Sequence, residues 1–253
     1  NYKNSASKHV IISGPPGVGK TELAKILGKI YYKIGILKND KFTLAKRSDL
    51  IAGYLGQTAI KTQKVIDEAK GGILFIDEAY SLGNNEQKDS FSKECIDTLM
   101  QSLLEMDGIC FIAGYPEELE QCFFNYNPGL KRRFSFHIHI DGYSSDELSK
   151  MFQSKLKGGI FSCEDAMTLD KSVQIKELDN FFDKNKKVFE YFGGDIDLLL
   201  FHSKMVANIR SFKEDSELTL KMDDITKGLD ELKTNKRIKQ IVEENPSYLH
   251  LYS

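Results

Sequence analysis

The stretch GPPGVGKT, residues 14–21, constrains the fold of this chain more than any other feature. It follows an apolar run and fits the pattern G-x-x-x-x-G-K-[ST]. In this pattern, backbone N–H groups converge on phosphate oxygens at the N-terminus of the next helix. The lysine neutralises the β- and γ-phosphates, and the threonine hydroxyl reaches Mg²⁺. We therefore expect ATP and Mg²⁺ at this loop, held by Gly14, Pro15, Pro16, Gly17, Val18, Gly19, Lys20, Thr21 and Glu22.

Short apolar runs alternate with helical patterns as far as about residue 142. Residues 73–76 and 109–112 are apolar at every position, as strands covered on both faces must be. Alternating strands and helices are typical of a parallel sheet flanked by helices. The sequence therefore predicts an α/β domain over residues 1–142, with strands at 10–12, 42–44, 73–76, 109–113 and 136–140.

The pattern changes from about residue 143. Ser144 and Glu147 fit a capping box, and apolar residues then recur at helical spacing. Further apolar stripes predict three more helices before residue 233. We expect a small all-helical subdomain over residues 143–233. A polar tail, residues 234–253, follows it, and its aromatic end could dock on a neighbouring subunit.

Composition narrows the classes of protein that fit. The formal net charge is −2, from 35 Lys+Arg and 37 Asp+Glu, which argues against a strongly basic nucleic-acid binder. Apolar runs of four or five residues fall far short of the roughly 20 that a membrane span needs. The four cysteines lack C-x-x-C spacing, so reduced thiols in a soluble, intracellular and cytoplasmic protein are expected. The chain begins with Asn, which suggests a piece of a longer protein.

The second half of the expected site is GGILFIDEAYSL, residues 71–82. A buried strand that ends in Asp77-Glu78 places two carboxylates at the edge of the sheet where ligands bind. Asp77 would hold Mg²⁺ through water, and Glu78 would polarise the water that attacks the γ-phosphate. The simpler interpretation is an acidic pair at the start of a helix. A small-molecule kinase is disfavoured because it must exclude the water that this pair would activate.

With these residues in hand, the chain resembles a AAA+ ATPase of the CbbX/CfxQ group, which includes the red-type Rubisco activase and sporulation protein K relatives. The resemblance covers most of residues 9–150. It implies a five-stranded sheet in the AAA+ order, a helical lid, and a ring-shaped homo-hexamer with ATP between subunits. It is carried by GPPGVGKTELAKILGKIYYKIGIL, RSDLIAGYLGQTAIKTQKVIDEAKGGILFIDEAYSL and FIAGYPEELEQCFFNYNPGLKRRFSFHIHIDGYSSDEL.

The resemblance also implies roles for several residues. Arg133 in NPGLKRRF lies where such proteins carry an arginine finger, with Arg132 as the second candidate. Tyr115 lies where the fourth strand ends, at the position of a phosphate sensor. The loop GYLGQT resembles the pore loop, so Tyr54, Leu55 and Gly56 would contact an extended polypeptide.

The lid departs from the family pattern. An arginine is expected after Gly193-Gly194, but none occurs before Arg210, so Lys204 or Arg210 would have to replace it. The segment before the first strand, which helps to hold adenine in the family, is largely absent. His137 and His139 alternate along a strand, but no further ligand completes a metal site.

Taken together, the sequence predicts an ATP-hydrolysing AAA+ ring that remodels a protein partner through its pore. Two alternatives stay open. One is a AAA+ protein that acts on nucleic acid as a loader or helicase, which the absence of Lys and Arg from GYLGQT disfavours. The other is a nucleotide-regulated scaffold that hydrolyses little ATP, which the missing lid arginine favours.

Overall fold

The computed structural model describes residues 8–54, 56–83, 90–157 and 167–244, with side chains as far as residue 239. The chain divides into two compact units, Asn1–Asp141 and Gly142–Ser253. Each unit is described by itself below. No helix in the described part of the chain is both long enough and apolar enough to cross a membrane.

The first unit is built on a five-stranded parallel sheet with the order β2-β3-β4-β1-β5. The strands are β1 His9–Ser13, β2 Phe42–Ala45, β3 Ile73–Ile76, β4 Ile109–Gly114 and β5 Phe134–His139. The α-helices between them are α1 Lys20–Lys33, α2 Arg47–Leu50, α3 Thr58–Glu68, α4 Ser90–Glu105, α5 Pro116–Glu118 and α6 Pro128–Lys131. A 3-10 helix, Ala79–Leu82, follows β3.

The three central strands are buried at every residue, and separate apolar clusters cover the two faces of the sheet. This burial explains why their sequences are almost entirely apolar. The predicted α/β class with a parallel sheet is confirmed. The last strand was predicted at 136–140, but it begins at Phe134, where the β1–β5 pairing shifts its register beside His9.

The second unit is mainly helical, as expected. Its α-helices are α7 Ser145–Leu156, α8 Ile175–Asn185, α9 Gly193–Glu214 and α10 Met222–Glu244. The capping box at α7 is confirmed: the Ser144 hydroxyl accepts from the Glu147 N–H, and the Glu147 carboxylate accepts from the Ser144 N–H. The unit is not all-helical, because β6 Thr168–Leu169 and β7 Thr219–Leu220 pair in parallel.

The polar tail was predicted to begin at residue 234. Helix α10 continues across this position, from Met222 to Glu244, and packs along α9. The aromatic end of the tail, residues 248–252, lies outside the described residues.

Candidate functional site

The phosphate loop joins β1 to α1 in a conformation that depends on glycine. Gly14 has φ 153°, and a Cβ atom there would lie 2.3 Å from the carbonyl oxygen of Ile140. Gly19 adopts a left-handed conformation, φ 87° and ψ 27°, as the N-cap of α1. Other residues rarely adopt this conformation. The loop therefore brings its backbone to the N-terminus of a 14-residue helix, where anions are favoured.

Lys20 lies across this loop. Its Nζ donates to the carbonyl oxygens of Gly14 and Pro15, both at 2.8 Å, and lies 5.2 Å from the centre of the Tyr115 ring. Burial lowers the pKa of the Lys20 ammonium below its ordinary value, and the charges of Asp77 and Glu78 oppose this shift. Among the residues that the structure describes, the ammonium contacts carbonyl oxygens and an aromatic ring but no carboxylate, which leaves its charge available to an anion.

The remaining loop residues differ in their surroundings. Val18 is buried beneath the loop, 2% exposed, and Thr21 lies in the first turn of α1. The Glu22 carboxylate pairs with the Lys25 ammonium at 2.7 Å on the surface of α1.

Asp77 and Glu78 follow the last residue of β3, two strands away from β1 in the sheet. The Asp77 N–H donates to the Ala45 carbonyl oxygen at 3.1 Å, which continues the β2–β3 pairing. Burial raises the pKa of the Asp77 carboxyl, and the nearby Glu78 charge raises it further, while Lys20 and Lys46 lower it. These charges therefore interact at the carboxyl edge of the sheet.

Glu78 has a left-handed backbone, φ 48° and ψ 47°, at the start of the 3-10 helix. Its N–H donates to Asp77 Oδ1 at 3.1 Å. A bulky residue with positive φ carries strain, which is found most often at functional sites. The side chain is exposed, so water has access to its carboxylate.

Tyr115 follows Gly114, the last residue of β4. Its ring stacks on that of Tyr80, with centroids 5.5 Å apart and planes at 23°. Tyr115 therefore lies beside Lys20 on one side and Tyr80 on the other. The contact with Tyr80 was not expected from the sequence.

Arg132 and Arg133 lie at the opposite edge of the sheet from the loop. Phe134, the next residue, pairs with His9 at the start of β1, and the five residues of β1, His9–Ser13, span about 17 Å before Gly14. Arg132 is exposed, whereas Arg133 is half-buried, and its Nε atom has no hydrogen-bond partner among the described residues. Neither arginine lies near the phosphate loop of its own chain.

Tyr54 lies in the loop between α2 and α3 and is 74% exposed. The Tyr54 side chain is therefore not part of the core. Gly56 has φ 76°, and Leu55 lies outside the described residues. Arg47, at the start of α2, donates to the Ser81 carbonyl oxygen in the 3-10 helix that follows Glu78. This link between the two segments was not expected from the sequence.

Arg210, one candidate for the lid arginine, is bound inside the second unit. Its guanidinium donates to both carboxylate oxygens of Asp224, at 3.0–3.2 Å, and to the Thr219 carbonyl oxygen at 2.6 Å. Since its side chain is only 12% exposed, Arg210 serves the interior of the helical unit.

The strand histidines are hydrogen-bonded. His137 Nε2 and His139 Nδ1 both contact the buried Ser13 Oγ, at 2.8 and 2.9 Å. Across the described ranges, no group of three or more His, Cys, Asp or Glu side chains could hold a metal ion. Mg²⁺ does not need such a group, because it is usually bound by one or two protein oxygens together with substrate phosphates. The Thr21 hydroxyl and the Asp77 carboxylate fit that donor set.

Comparison with known proteins is consistent with this geometry. The family model "ATPase family associated with various cellular activities (AAA)" matches residues 10–141. A putative cfxQ-like protein, R730, of Acanthamoeba polyphaga mimivirus is 41% identical over 234 residues, which cover 90% of this chain and 56% of that protein.

Two bacterial relatives match more than half of the chain. The ESX-1 secretion system protein EccA1 of Mycolicibacterium smegmatis is 43% identical over 147 residues, 56% of this chain and 25% of its own length. The stage V sporulation protein K of Bacillus subtilis is 41% identical over 145 residues, 56% of this chain and 44% of its own. The chain thus spans between a quarter and little more than half of these relatives. Because the family model covers more than half of the chain, from the first strand to the end of the sheet, this protein belongs to the AAA family of ATPases.

Proposed function

We propose that this chain is an ATP-hydrolysing AAA+ module that assembles into a ring and remodels a protein partner. The observation that carries the proposal is that Lys20, Asp77 and Glu78 lie together at one edge of the sheet. The negative charges of both carboxylates raise the pKa of Lys20 there, against the effect of burial. A cation beside a glycine-rich loop binds phosphates, and a neighbouring exposed carboxylate can activate water. These are the parts that ATP hydrolysis requires.

The roles within one subunit follow from position. The loop N–H groups and Lys20 bind the β- and γ-phosphates, and Thr21 and Asp77 hold Mg²⁺, which would neutralise charge on the phosphate oxygens when bound. Glu78 accepts a hydrogen bond from the attacking water and orients it toward the γ-phosphate. Its exposed carboxylate and the left-handed backbone that directs it support this role.

In the proposed ring, a neighbouring subunit supplies the arginine finger. Arg133 directly precedes β5 at the edge opposite the phosphate loop, so it can reach a γ-phosphate only in a neighbouring subunit. Its Nε atom, which has no partner among the described residues, supports a contact that forms on assembly. Arg132 is the second candidate. Hydrolysis would then depend on subunit contact, as it does where arginine fingers act in trans.

Two exposed apolar stripes support assembly from copies of this chain. The stripes lie in different units and differ in size, so a contact between them would be head-to-tail. Head-to-tail contacts close into rings when the rotation permits. The α1 stripe comprises Ile26, Ile30 and Ile34, and the α9 stripe comprises Leu198, Phe201, Met205, Ile209 and Phe212.

We assign to Tyr54 the role of contacting the protein partner, or client, that the ring remodels. A largely exposed tyrosine between Gly53 and Gly56 is suited to grip an extended polypeptide, because the glycines allow the loop to move. Two relatives are named for a secretion system and for sporulation, and these names do not identify a protein partner for this chain.

The scaffold alternative is favoured by one observation: Arg210 is bound to Asp224 within the helical unit and does not replace the missing lid arginine. A AAA+ protein that acts on nucleic acid is the other alternative. Turnover that DNA or RNA stimulates, with a steep dependence on salt, would favour it.

The test is ATP hydrolysis per subunit against protein concentration, for wild type, Arg133→Ala and Tyr54→Ala. We expect turnover to rise cooperatively with concentration in wild type and Tyr54→Ala, and to be lost in Arg133→Ala at every concentration. Arg132→Ala tests the second candidate and should retain turnover if Arg133 is the finger. Nucleotide binding without turnover at any concentration would support the scaffold instead.

A further inference from the structure

Arg47 contacts the segment that follows Glu78 and belongs to the segment that leads to Tyr54. It is the first residue of α2, which precedes the Tyr54 loop. Its guanidinium nitrogen Nη1 donates to the Ser81 carbonyl oxygen in the 3-10 helix after Glu78, and to the Ser92 hydroxyl on α4 at 3.2 Å. One side chain thus joins three segments that are far apart in the chain.

The contact with Ser81 lies one hydrogen bond away from the Glu78 backbone. The Ser81 N–H donates to the Glu78 carbonyl oxygen at 2.7 Å, across the first turn of the 3-10 helix. The left-handed backbone of Glu78 is strained for a residue with a long side chain, and such strain persists only where the surroundings enforce it. The Arg47–Ser81 hydrogen bond therefore helps to hold the turn that keeps Glu78 in this conformation.

The other end of α2 is fixed to α3 by hydrogen bonds close to Tyr54. The buried Thr62 hydroxyl donates to the Leu50 carbonyl oxygen at 3.0 Å. The Ala52 N–H donates to the Thr58 hydroxyl at 3.2 Å. Helix α2 and the start of the Tyr54 loop thus form one hydrogen-bonded segment, so a displacement of the loop acts on the helix that carries the guanidinium.

We propose that Arg47 is a positioning residue for hydrolysis, which couples the Tyr54 loop to the Glu78 site. This inference rests on the proposed roles of Glu78 and Tyr54. The guanidinium holds the 3-10 helix, so the Glu78 backbone keeps the conformation that directs its carboxylate. Because coupling between two sites is reciprocal, ATP bound beside Glu78 changes the Tyr54 loop, and a polypeptide bound at Tyr54 changes hydrolysis.

The first test is ATP hydrolysis by Arg47→Met in the full chain, a substitution that keeps the apolar stem and removes the donors. We expect kcat to fall about 10-fold, the effect of one lost hydrogen bond from a charged group. KM for ATP should stay close to the wild-type value, because the phosphate loop and Lys20 bind the phosphates.

Hydrogen exchange measures the coupling itself. In the wild type, a saturating non-hydrolysable ATP analogue with Mg²⁺ should slow exchange at the amides of Gly53, Tyr54 and Gly56 by about fivefold or more. Arg47→Met should still bind the analogue, but these amides should exchange at the same rate with and without it. A purely structural role of Arg47 would instead change exchange in both states alike and preserve the response to the analogue.

Two control variants separate the outcomes. Arg237→Met makes the same exchange at an exposed position on α10 and should leave kcat and the loop response unchanged. Ser92→Ala removes the acceptor on α4 and keeps the contact with Ser81, so it should also retain both. If a thermal melt shows that Arg47→Met does not fold, Arg47→Gln replaces it with the same expectations, since its amide cannot extend as far as the guanidinium.

An unchanged kcat or an unchanged loop response in the Arg47 variant would overturn the inference, as would a wild-type loop that does not respond to the analogue. An equal loss in Ser92→Ala would overturn it too, because the effect would then run through α4. In each case the proposed function would stand if the wild type hydrolysed ATP and Glu78→Gln did not. Equal turnover in wild type and Glu78→Gln would instead overturn the proposed function, and this inference with it.

Discussion

The two units differ in whether their buried and half-buried charged side chains form ion pairs. In the helical unit, buried charges pair with each other: Arg210 with Asp224, and Lys236 with Asp195, at 3.0 and 2.8 Å. In the α/β unit, Lys20 and Asp77 lie at the sheet edge without an ion pair between them. Burial lowers the pKa of Lys20 and raises the pKa of Asp77, which favours the neutral form of each group.

The difference separates structural charges from functional ones. In a buried ion pair, each charge is compensated by its partner, so the pair attracts a charged ligand only weakly. A partly desolvated charge that lacks such a partner gains the most when a ligand of opposite sign arrives. Substitutions of charged residues in the two units should therefore have different effects. Those at the sheet edge should change the rate of hydrolysis, and those in the helical unit should change the free energy of unfolding.

The largest expected effect is that of Glu78→Gln. We expect kcat to fall by about 10²- to 10³-fold, because a neutral amide cannot activate water as a carboxylate does. ATP affinity and the unfolding temperature should change little. Steady-state hydrolysis and a thermal melt would measure both quantities. Glu68→Gln, the same exchange at an exposed position on α3, is the control, and a comparable loss there would contradict the assignment.

Asp224→Ala should have the largest effect on stability. Asp224 is fully buried and accepts from Arg210 and from the Lys221 N–H. Its removal leaves the guanidinium without a carboxylate and should cost about 3 kcal/mol. Hydrogen exchange of the full chain should show faster exchange in α9 and α10 than in β3 and β4.

The neighbouring Asp223 is the matched control, because its pair with Lys227 lies on the surface, with both side chains more than half exposed. Asp223→Ala should change the free energy of unfolding far less than Asp224→Ala does, because solvent screens an exposed pair. Equal effects of the two substitutions would show that burial does not distinguish these charges, and the comparison between the units would fail.

Lys236→Met should show a smaller effect of the same kind. The Lys236 ammonium contacts Asp195, which is 1% exposed, and donates to the Val188 carbonyl oxygen. Losing it leaves Asp195 with the Tyr191 N–H, at a cost of about 2 kcal/mol. Chemical denaturation would measure this loss. ATP hydrolysis per folded subunit should be unchanged. A lower kcat would contradict the view that charges of the helical unit affect only stability.

The smallest effect, and one of opposite sign, is expected for Asp77→Asn. Burial raises the pKa of Asp77 in the folded protein above its unfolded value. The ionised carboxylate therefore destabilises the fold increasingly as pH rises through the folded pKa, and this cost persists at pH 7. The amide removes it. Because Asp77 is partly solvated, the melting temperature of the nucleotide-free protein should rise by only about 1–2 °C.

The advantage of Asp77→Asn should shrink as pH falls and disappear below about pH 3, where the wild-type carboxyl is protonated in both states. The variant should also lose the stabilisation that Mg²⁺ and ATP together give to the wild type. A lower melting temperature for the variant at pH 7 would mean that the carboxylate is already compensated within the fold.

Local patterns predicted most of the α/β unit. Strands β3 and β4 are buried on both faces, which leaves an uninterrupted apolar run that can be identified without knowing the neighbours. The phosphate loop and Asp77-Glu78 were found for a similar reason. Backbone approach to phosphate restricts the sequence to glycine at fixed spacing, and such restrictions are visible locally.

The contacts that were missed join residues far apart in the chain. His9 donates from Nε2 to the Leu103 carbonyl oxygen and accepts from the Cys110 N–H at Nδ1, yet it looks like an ordinary residue before a strand. The Tyr80–Tyr115 stack depends on which strands are neighbours. The β6–β7 pair is two residues long, too short for strand alternation to be recognised.

Strand β1 connects the phosphate loop at one end to the neighbourhood of Arg133 at the other, and this has a consequence for genetics. In the proposed ring, a subunit that lacks Lys20 loses its own site but still offers its arginine to the next subunit. A subunit that lacks Arg133 does the reverse. Two alleles that are each inactive alone should therefore complement each other in mixed rings, whereas two alleles damaged at the same end of the strand should not.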